Sequence, residues 1–354
     1  MHQHQKAIAM HKKHQTYLPA LVIAIVALFL FTGCGGTAST APNDAPKDTI
    51  NYQMGWVHEY SSAPFYMAIA NGHYAKEGLD VKLTVGGFND QGTIDPIEQV
   101  ASGKADFTEA SVFALLQARA QGKPIVAIAT LNQRSPYAII SLEANGVVRP
   151  QDLIGKTVAV ANGGSTLEYQ SLIRSQNIDP TKVNQIERTS FGIDPLVNGE
   201  VDAFGGWIIN EGVALQESGA NPTFLLLSDY GIDTYDLLIL TTEDMVANHP
   251  DKVERFLKAS LAGLQDVIDA PEKAIETTLT YDNTLDHDAQ LRRLQAFIPL
   301  IHPAGTQLGT MNAEIWEFNY QLMLDNGLLT QPQDITKAYT TDFLNKLYNT
   351  QATA

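Results

Sequence analysis

Two stretches about 100 residues apart carry the same order of signals, and this recurrence restricts the fold more than any bulk property does. Ile94-Asp95-Pro96 leads through a helical segment to Ser102-Gly103-Lys104-Ala105-Asp106-Phe107, and Ile193-Asp194-Pro195 leads to Leu196-Val197-Asn198-Gly199-Glu200-Val201-Asp202-Ala203-Phe204. Each reads as a helix, a glycine stop, a polar residue and a short strand entered at an aspartate. A unit present only twice is not a solenoid repeat, so the pattern implies two α/β lobes of similar build. Lobe 1 is expected over residues 48–134 plus 238–348 and lobe 2 over residues 135–237. The aspartates at the strand entries read as structural caps. The residues just past each strand, Glu109 to Ser111 and Gly205-Gly206-Trp207, then line facing walls of one cleft.

The first unit supports this reading. From Asn51 the chain runs as a strand to Gly55, places Trp56, His58, Tyr60, Phe65 and Tyr66 in one loop, and continues as an Ala-rich helix stopped at Gly72 before the strand Val81 to Val85. That is a βαβ opening, and open parallel sheets bind ligands beyond the carboxyl ends of their strands, so Trp56 to Tyr60 should face a crevice. Asn162-Gly163-Gly164-Ser165-Thr166 comes after the strand Val158 to Ala161 and opens a helix, leaving backbone N–H groups available to an acceptor. The polar loop Ser228 to Tyr235 precedes a strand that returns to lobe 1. Beyond Asp244 the helices lengthen; Phe256, Leu257, Ser260, Leu261 and Leu264 form one apolar face, and Trp316, Phe318 and Tyr320 are assigned to packing.

Charge and composition remove several classes of function. The first 33 residues hold three of the 23 Lys and Arg and none of the 39 Asp and Glu, which leaves −19 on the remainder and argues against a nucleic-acid partner. Three lysines precede the apolar run Leu18 to Phe31, and Thr32-Gly33-Cys34-Gly35 comes directly after it. This resembles a bacterial lipoprotein signal with Phe31 where Leu is usual, cleaved before Cys34 so that the thiol carries lipid; its roughly 14 apolar residues fall short of the roughly 20 that span a bilayer. Residues 34–47, rich in small residues and proline, read as a flexible tether. Cys34 is the only cysteine, so the exported domain has no disulfide, and the five histidines outside the leader lack metal-ligand spacing. No nucleophile elbow, phosphate loop or HExxH motif is present.

Trp56, Pro64-Phe65-Tyr66-Met67-Ala68, Gly78-Leu79-Asp80-Val81 and the Ser102 to Phe107 motif together resemble the SsuA-like group of substrate-binding proteins, from about Ile50 to about Ala274. The resemblance implies a two-lobed α/β fold of the type II periplasmic-binding-protein (Venus flytrap) kind. It also implies a non-catalytic monomer without cofactor, lipid-anchored on the extracytoplasmic face of the cell membrane, that closes on a small ligand and delivers it to an ABC permease with its ATPase or to a RibX-type permease. One branch of the group consists of suicidal thiamine-pyrimidine synthases that need a lysine, a histidine four residues later and a cysteine-rich run. Those positions fall here on Ala110, Ala114 and the cysteine-free stretch Gly231 to Leu237.

The ligand-binding residues expected are Trp56, His58, Tyr60, Glu109, Ser111, Arg134, Asn162, Gly164, Ser165, Thr166, Trp207, Glu211, Asp233 and Tyr235. Trp56, Tyr60, Trp207 and Tyr235 would stack on a flat heterocycle, and His58, Glu109, Asn162, Glu211 and Asp233 would pair with ring nitrogens and carbonyls. With Arg134 the only cation in these loops, a neutral, nitrogen-rich ring fits best. Gly55-Trp56-Val57-His58-Glu59-Tyr60-Ser61 resembles the riboflavin-binding branch more than the Trp-x-Pro-Asn opening of the thiamine-precursor carriers. The alternatives are a formylaminopyrimidine or hydroxymethylpyrimidine, a sulfonate or nitrate-type solute, or a membrane-tethered sensor.

Overall fold

A computed structural model describes residues 47–89, 92–190 and 192–352. The expected leader, Cys34 and the tether up to residue 46 lie outside the described residues. The strands are β1 (Asp48–Gln53), β2 (Leu79–Thr84), β3 (Phe88–Asn89), β4 (Gly92–Thr93), β5 (Phe107–Ala110), β6 (Ile125–Thr130), β7 (Tyr137–Leu142), β8 (Thr157–Val160), β9 (Asn184–Glu187), β10 (Ala203–Trp207), β11 (Pro222–Leu226) and β12 (Leu238–Thr242). The helices are α1 (Ala63–Ala70), α2 (His73–Lys76), α3 (Pro96–Ala101), α4 (Val112–Ala120), α5 (Gly164–Ser175), α6 (Asp194–Val197), α7 (Val213–Glu217), α8 (Glu243–Asn248), α9 (Pro250–Asp269), α10 (Pro271–Thr278), α11 (His287–Ile301), α12 (Ala313–Asp325) and α13 (Asp342–Ala352).

Two five-stranded sheets carry the fold, ordered β2-β1-β5-β12-β6 and β9-β8-β10-β7-β11, with β3 and β4 as a separate hairpin. Their pairings match strand for strand. β1 is parallel to β2 and β5 as β8 is to β9 and β10, and β12 and β7 are the antiparallel members that enter each sheet from the other lobe. The recurrent aspartates fulfil the structural role expected of them. Asp106 Oδ2 accepts from the Asn51 N–H at 2.7 Å and Asp202 Oδ2 from the Thr157 N–H at 2.8 Å, each fixing the register of β5 or β10 on its parallel neighbour. Their carbonyls are matched too: Thr241 Oγ1 donates to Asp106 at 2.8 Å and Ser141 Oγ to Asp202 at 2.6 Å.

The chain crosses between the sheets at residues 131–136 and 227–237, and the crossings are tied together at Asn132. This fully buried side chain accepts from the Leu237 N–H at 3.0 Å and donates to the Arg134 carbonyl at 2.9 Å. One apolar core packs α1, α9, α10 and α11 on the first sheet. A second core runs from α4 and β6 through Tyr137, Ile139 and Val158 to α5 and α12, so α12, expected in lobe 1, packs on helices attached to both sheets. Trp316 and Tyr320 are buried there, whereas Phe318 is exposed because it lies on the outer face of α12.

Several boundaries differ from the sequence expectation for identifiable reasons. β7, which the sequence reads as a strand between Arg134 and Leu142, starts at Tyr137, since Pro136 has no N–H to give a ladder. β9 escapes a pattern reading because all four of its side chains are exposed at the sheet edge. The aromatic loop is mostly core: Tyr60, Phe65 and Tyr66 are buried, as a short 3₁₀ turn at Tyr60–Ser62 delivers the chain into α1 against α9.

Candidate functional site

The carboxyl ends of both sheets open into one cavity of about 1020 Å³, at the upper edge of the roughly 300–1,000 Å³ common for small-molecule sites. Of the residues expected there, Trp56, His58, Glu109, Ser111, Asn162, Gly164, Ser165, Trp207 and Glu211 line it. Trp56 comes from the loop after β1 and Trp207 from the end of β10, so each lobe contributes one indole. Trp207 is held against Phe297, with ring centroids 5.8 Å apart. His58 is fixed by Nδ1 at 2.6 Å from the Tyr66 hydroxyl and by the Tyr281 ring.

Five expected residues lie outside the lining. Tyr60 is fully buried with its ring edge-on to Phe297. Tyr235 is buried and its hydroxyl accepts from the Asn312 N–H at 2.9 Å, which serves the start of α12. Arg134 and Asp233 are exposed away from the cavity, Asp233 giving only its carbonyl to Asn319. Thr166 spends its hydroxyl on the Ala161 carbonyl at 2.8 Å, which closes the turn before α5. In each case the sequence places the residue beside a strand end, but the local turn rotates it out.

Residues missed by sequence reasoning complete the walls. Arg188, just past the end of the edge strand β9, is buried beneath β10. Its Nη1 donates to Glu211 Oε1 at 2.9 Å and to the Gly205 carbonyl at 2.7 Å, and its guanidinium lies 4.1 Å over the Phe204 ring. Glu211 in turn accepts from the Trp207 N–H at 2.9 Å, inside a π-helical turn at Ile208–Gly212. Tyr137 crosses this strand end so closely that a Cβ on Gly205 would sit 2.0 Å from its hydroxyl, which explains the glycine. The lobes also meet closely: a Cβ on Gly164 would fall 2.5 Å from Ser111 Oγ.

Carboxyl groups dominate the electrostatics. Glu109 accepts from the Tyr52 hydroxyl and from the Gly55 N–H at 2.7 Å, yet its burial pushes its pKa up to about 8. Glu168 on α5 and Asp236 at the return crossing are buried beside one another. Burial, then the Asp236 charge, holds Glu168 well above the carboxylate range, and burial raises Asp236 to about 7, with Ser135 and Glu168 offsetting part of the rise. Burial likewise raises Glu59 to about 7 against the Ser61 hydroxyl at 2.8 Å. Among the cations, Arg188 is paired with Glu211, and Lys123 at the rim is 2.9 Å from Glu98. Arg293 on α11 reaches the cavity with its Nε buried and without a hydrogen-bond partner among the described residues. The described residues contain no cluster of three or more potential metal ligands.

Two sheets of matched topology around a shared cleft give the fold of the periplasmic substrate-binding proteins. The periplasmic aliphatic sulphonate binding protein SsuA from Escherichia coli has this fold, with a TM-score of 0.63 and 16% identity over 83% of this chain and 92% of that one. Residues 59–274 match the family described as NMT1/THI5 like, and the chain belongs to that family. Its relatives include the riboflavin-binding protein RibY of Chloroflexus aurantiacus, 27% identical over 92% of this chain and 98% of that protein. The formylaminopyrimidine-binding protein of Halalkalibacterium halodurans is 25% identical over 84% and 90%. The chain thus combines the fold of SsuA with membership of a family whose relatives include two named binding proteins. None of its described helices is long and apolar enough to cross a membrane.

Proposed function

We propose that this protein captures riboflavin and presents it to its permease by closing the two lobes on it. The observation that carries the reading is the pairing of Trp56 and Trp207, one from each lobe, in one cavity whose lining holds seven acidic side chains and, among the described residues, a single cation outside an ion pair. Two indoles suit a large flat ring, and with Arg188 and Lys123 already ion-paired the lining leaves Arg293, among the described residues, as the one cation to receive a sulfonate or nitrate, which disfavours such a ligand. The likeness to RibY over nearly the whole chain points the same way. Ala110 and Ala114 line the cavity where the synthases of this family need a lysine and a histidine, which favours a non-catalytic role. Attachment to the membrane through Cys34 belongs to the same proposal and predicts that Cys34→Ala releases the protein into the medium or periplasm.

A thiamine pyrimidine precursor is the second reading. The Glu168 and Asp236 pair, able to present one protonated and one ionised carboxyl, matches the donor and acceptor edge of an aminopyrimidine. Thermal unfolding with riboflavin, riboflavin 5′-phosphate, thiamine and the aminopyrimidine precursors separates the two, since a ligand at about 100 times its Kd stabilises by about 2.7 kcal/mol. A rise in Tm with riboflavin supports the first reading; a rise with aminopyrimidines alone replaces it.

A further inference from the structure

One end of the cavity is built differently from the rest. α11 packs on both the Tyr60–Ser62 turn of the first lobe and the π-helical turn of the second, and it turns Gln290 and Arg293, three residues apart, toward the cavity. Gln290 is anchored there by accepting from the Tyr60 N–H at 2.9 Å. Around this point Glu59, Asn210 and Glu211 complete the lining. On the cavity wall Arg293 Nε is buried with no hydrogen-bond partner among the described residues, and Asn210 Oδ1 is buried with only the Tyr60 hydroxyl, which lies behind the wall, near it. Buried polar groups left unpaired are costly, so their gathering at one end of a cavity indicates groups that a ligand satisfies.

The donors and acceptors are mixed: an amide, a guanidinium and a glutamine alternate with two carboxyls. A phosphate would find one unpaired cation among the described residues, Arg293, beside two carboxyls, and a hydrocarbon tail would leave Asn210 and Arg293 unpaired. A hydroxyl donates and accepts at once, so a run of hydroxyls pairs with every member of the set. We propose that Glu59, Asn210, Glu211, Gln290 and Arg293 form a subsite for a polyhydroxyl chain on the ligand, while Trp56 and Trp207 hold its flat part. This rests on the flavin reading and extends it to the substituent that sets specificity.

The test titrates the purified full chain with riboflavin, with lumiflavin, which keeps the ring and lacks the hydroxyl chain, and with riboflavin 5′-phosphate, following flavin fluorescence. Riboflavin is expected to bind roughly 10- to 100-fold more tightly than lumiflavin and more tightly than its 5′-phosphate. Arg293→Gln and Asn210→Ala should each weaken riboflavin roughly 10-fold and leave lumiflavin within about twofold. Equal affinity for riboflavin and lumiflavin overturns the subsite and leaves flavin capture standing. Tighter binding of the 5′-phosphate overturns the polyol in favour of an anion. Absence of binding by all three removes the flavin reading and this subsite with it. If a variant unfolds, the wild-type ratio of riboflavin to lumiflavin decides.

Discussion

At the end of β5 in the first lobe stands Glu109, a buried carboxyl braced by the Tyr52 hydroxyl and the Gly55 N–H and inclined to keep its proton. The equivalent position in β10, three residues after the matching aspartate, is Gly205, whose side-chain space is taken by the Tyr137 hydroxyl, while Glu211 and Arg188 fill the space beside Gly206. Strand entries are therefore alike and strand exits are not. The entry aspartates hold β5 and β10 in register, which any sheet of this topology needs. The exits face the cavity, and there one lobe offers a near-neutral acid while the other offers a paired charge. A duplicated scaffold thus keeps its backbone solution twice and varies only the residues that project past it.

The strongest way to break this comparison is to remove the charge pair. Arg188→Ala should destabilise the protein by about 3–5 kcal/mol, because it strands Glu211 in a buried site and also gives up the Gly205 carbonyl and the Phe204 face. Glu109→Gln, its counterpart in the first lobe, should cost less than about 1 kcal/mol, since it replaces a carboxyl already inclined to be neutral. Urea unfolding measures both; equal costs would show that the two exits are not electrostatically distinct.

A second test uses pH. Glu109, Glu168 and Asp236 hold protons in the folded ligand-free protein that the unfolded chain releases near its ordinary carboxylate values of 3.8 to 4.5. Their contribution is complete below pH of about 4 and is lost as pH rises through about 7 to 8, so stability should fall over that window. Glu168→Gln should flatten the fall, as it removes one of the titrating groups. A stability profile that rises between pH of about 5 and about 8 in the wild-type protein would contradict the assignment. The smallest effect sharpens the likeness of the entries: Asp106→Asn and Asp202→Asn should each cost about 1 kcal/mol, and by similar amounts.

Much of the scaffold was legible because it rests on local signals. The two Ile-Asp-Pro starts, the glycine stops at Gly103 and Gly199, and the apolar face of Phe256 to Leu264 each state their element without reference to the rest of the chain. The cavity was legible in part. Trp56, Glu109, Asn162 and Trp207 lie at or just past strand ends, and the sheet rule places such residues at the crevice. Tyr60 and Tyr235 satisfy the same rule and still belong to the core, since a 3₁₀ turn and the start of α12 claim them. Arg188 gave no signal, sitting at the end of an exposed edge strand with no alternation to read. Gln290 and Arg293 lie on a helix whose pattern speaks only for its apolar face.

By itself the sequence determined the duplication, the two α/β lobes and a tryptophan beside a strand end in each, because these depend on short-range patterns that steric and hydrophobic rules translate directly into strands and helices. The tertiary structure alone decided which polar groups are paired and which face the cavity. That outcome depends on contacts between residues far apart in the chain, such as Tyr60 with Gln290 or Glu168 with Asp236, and on the burial that sets their charge.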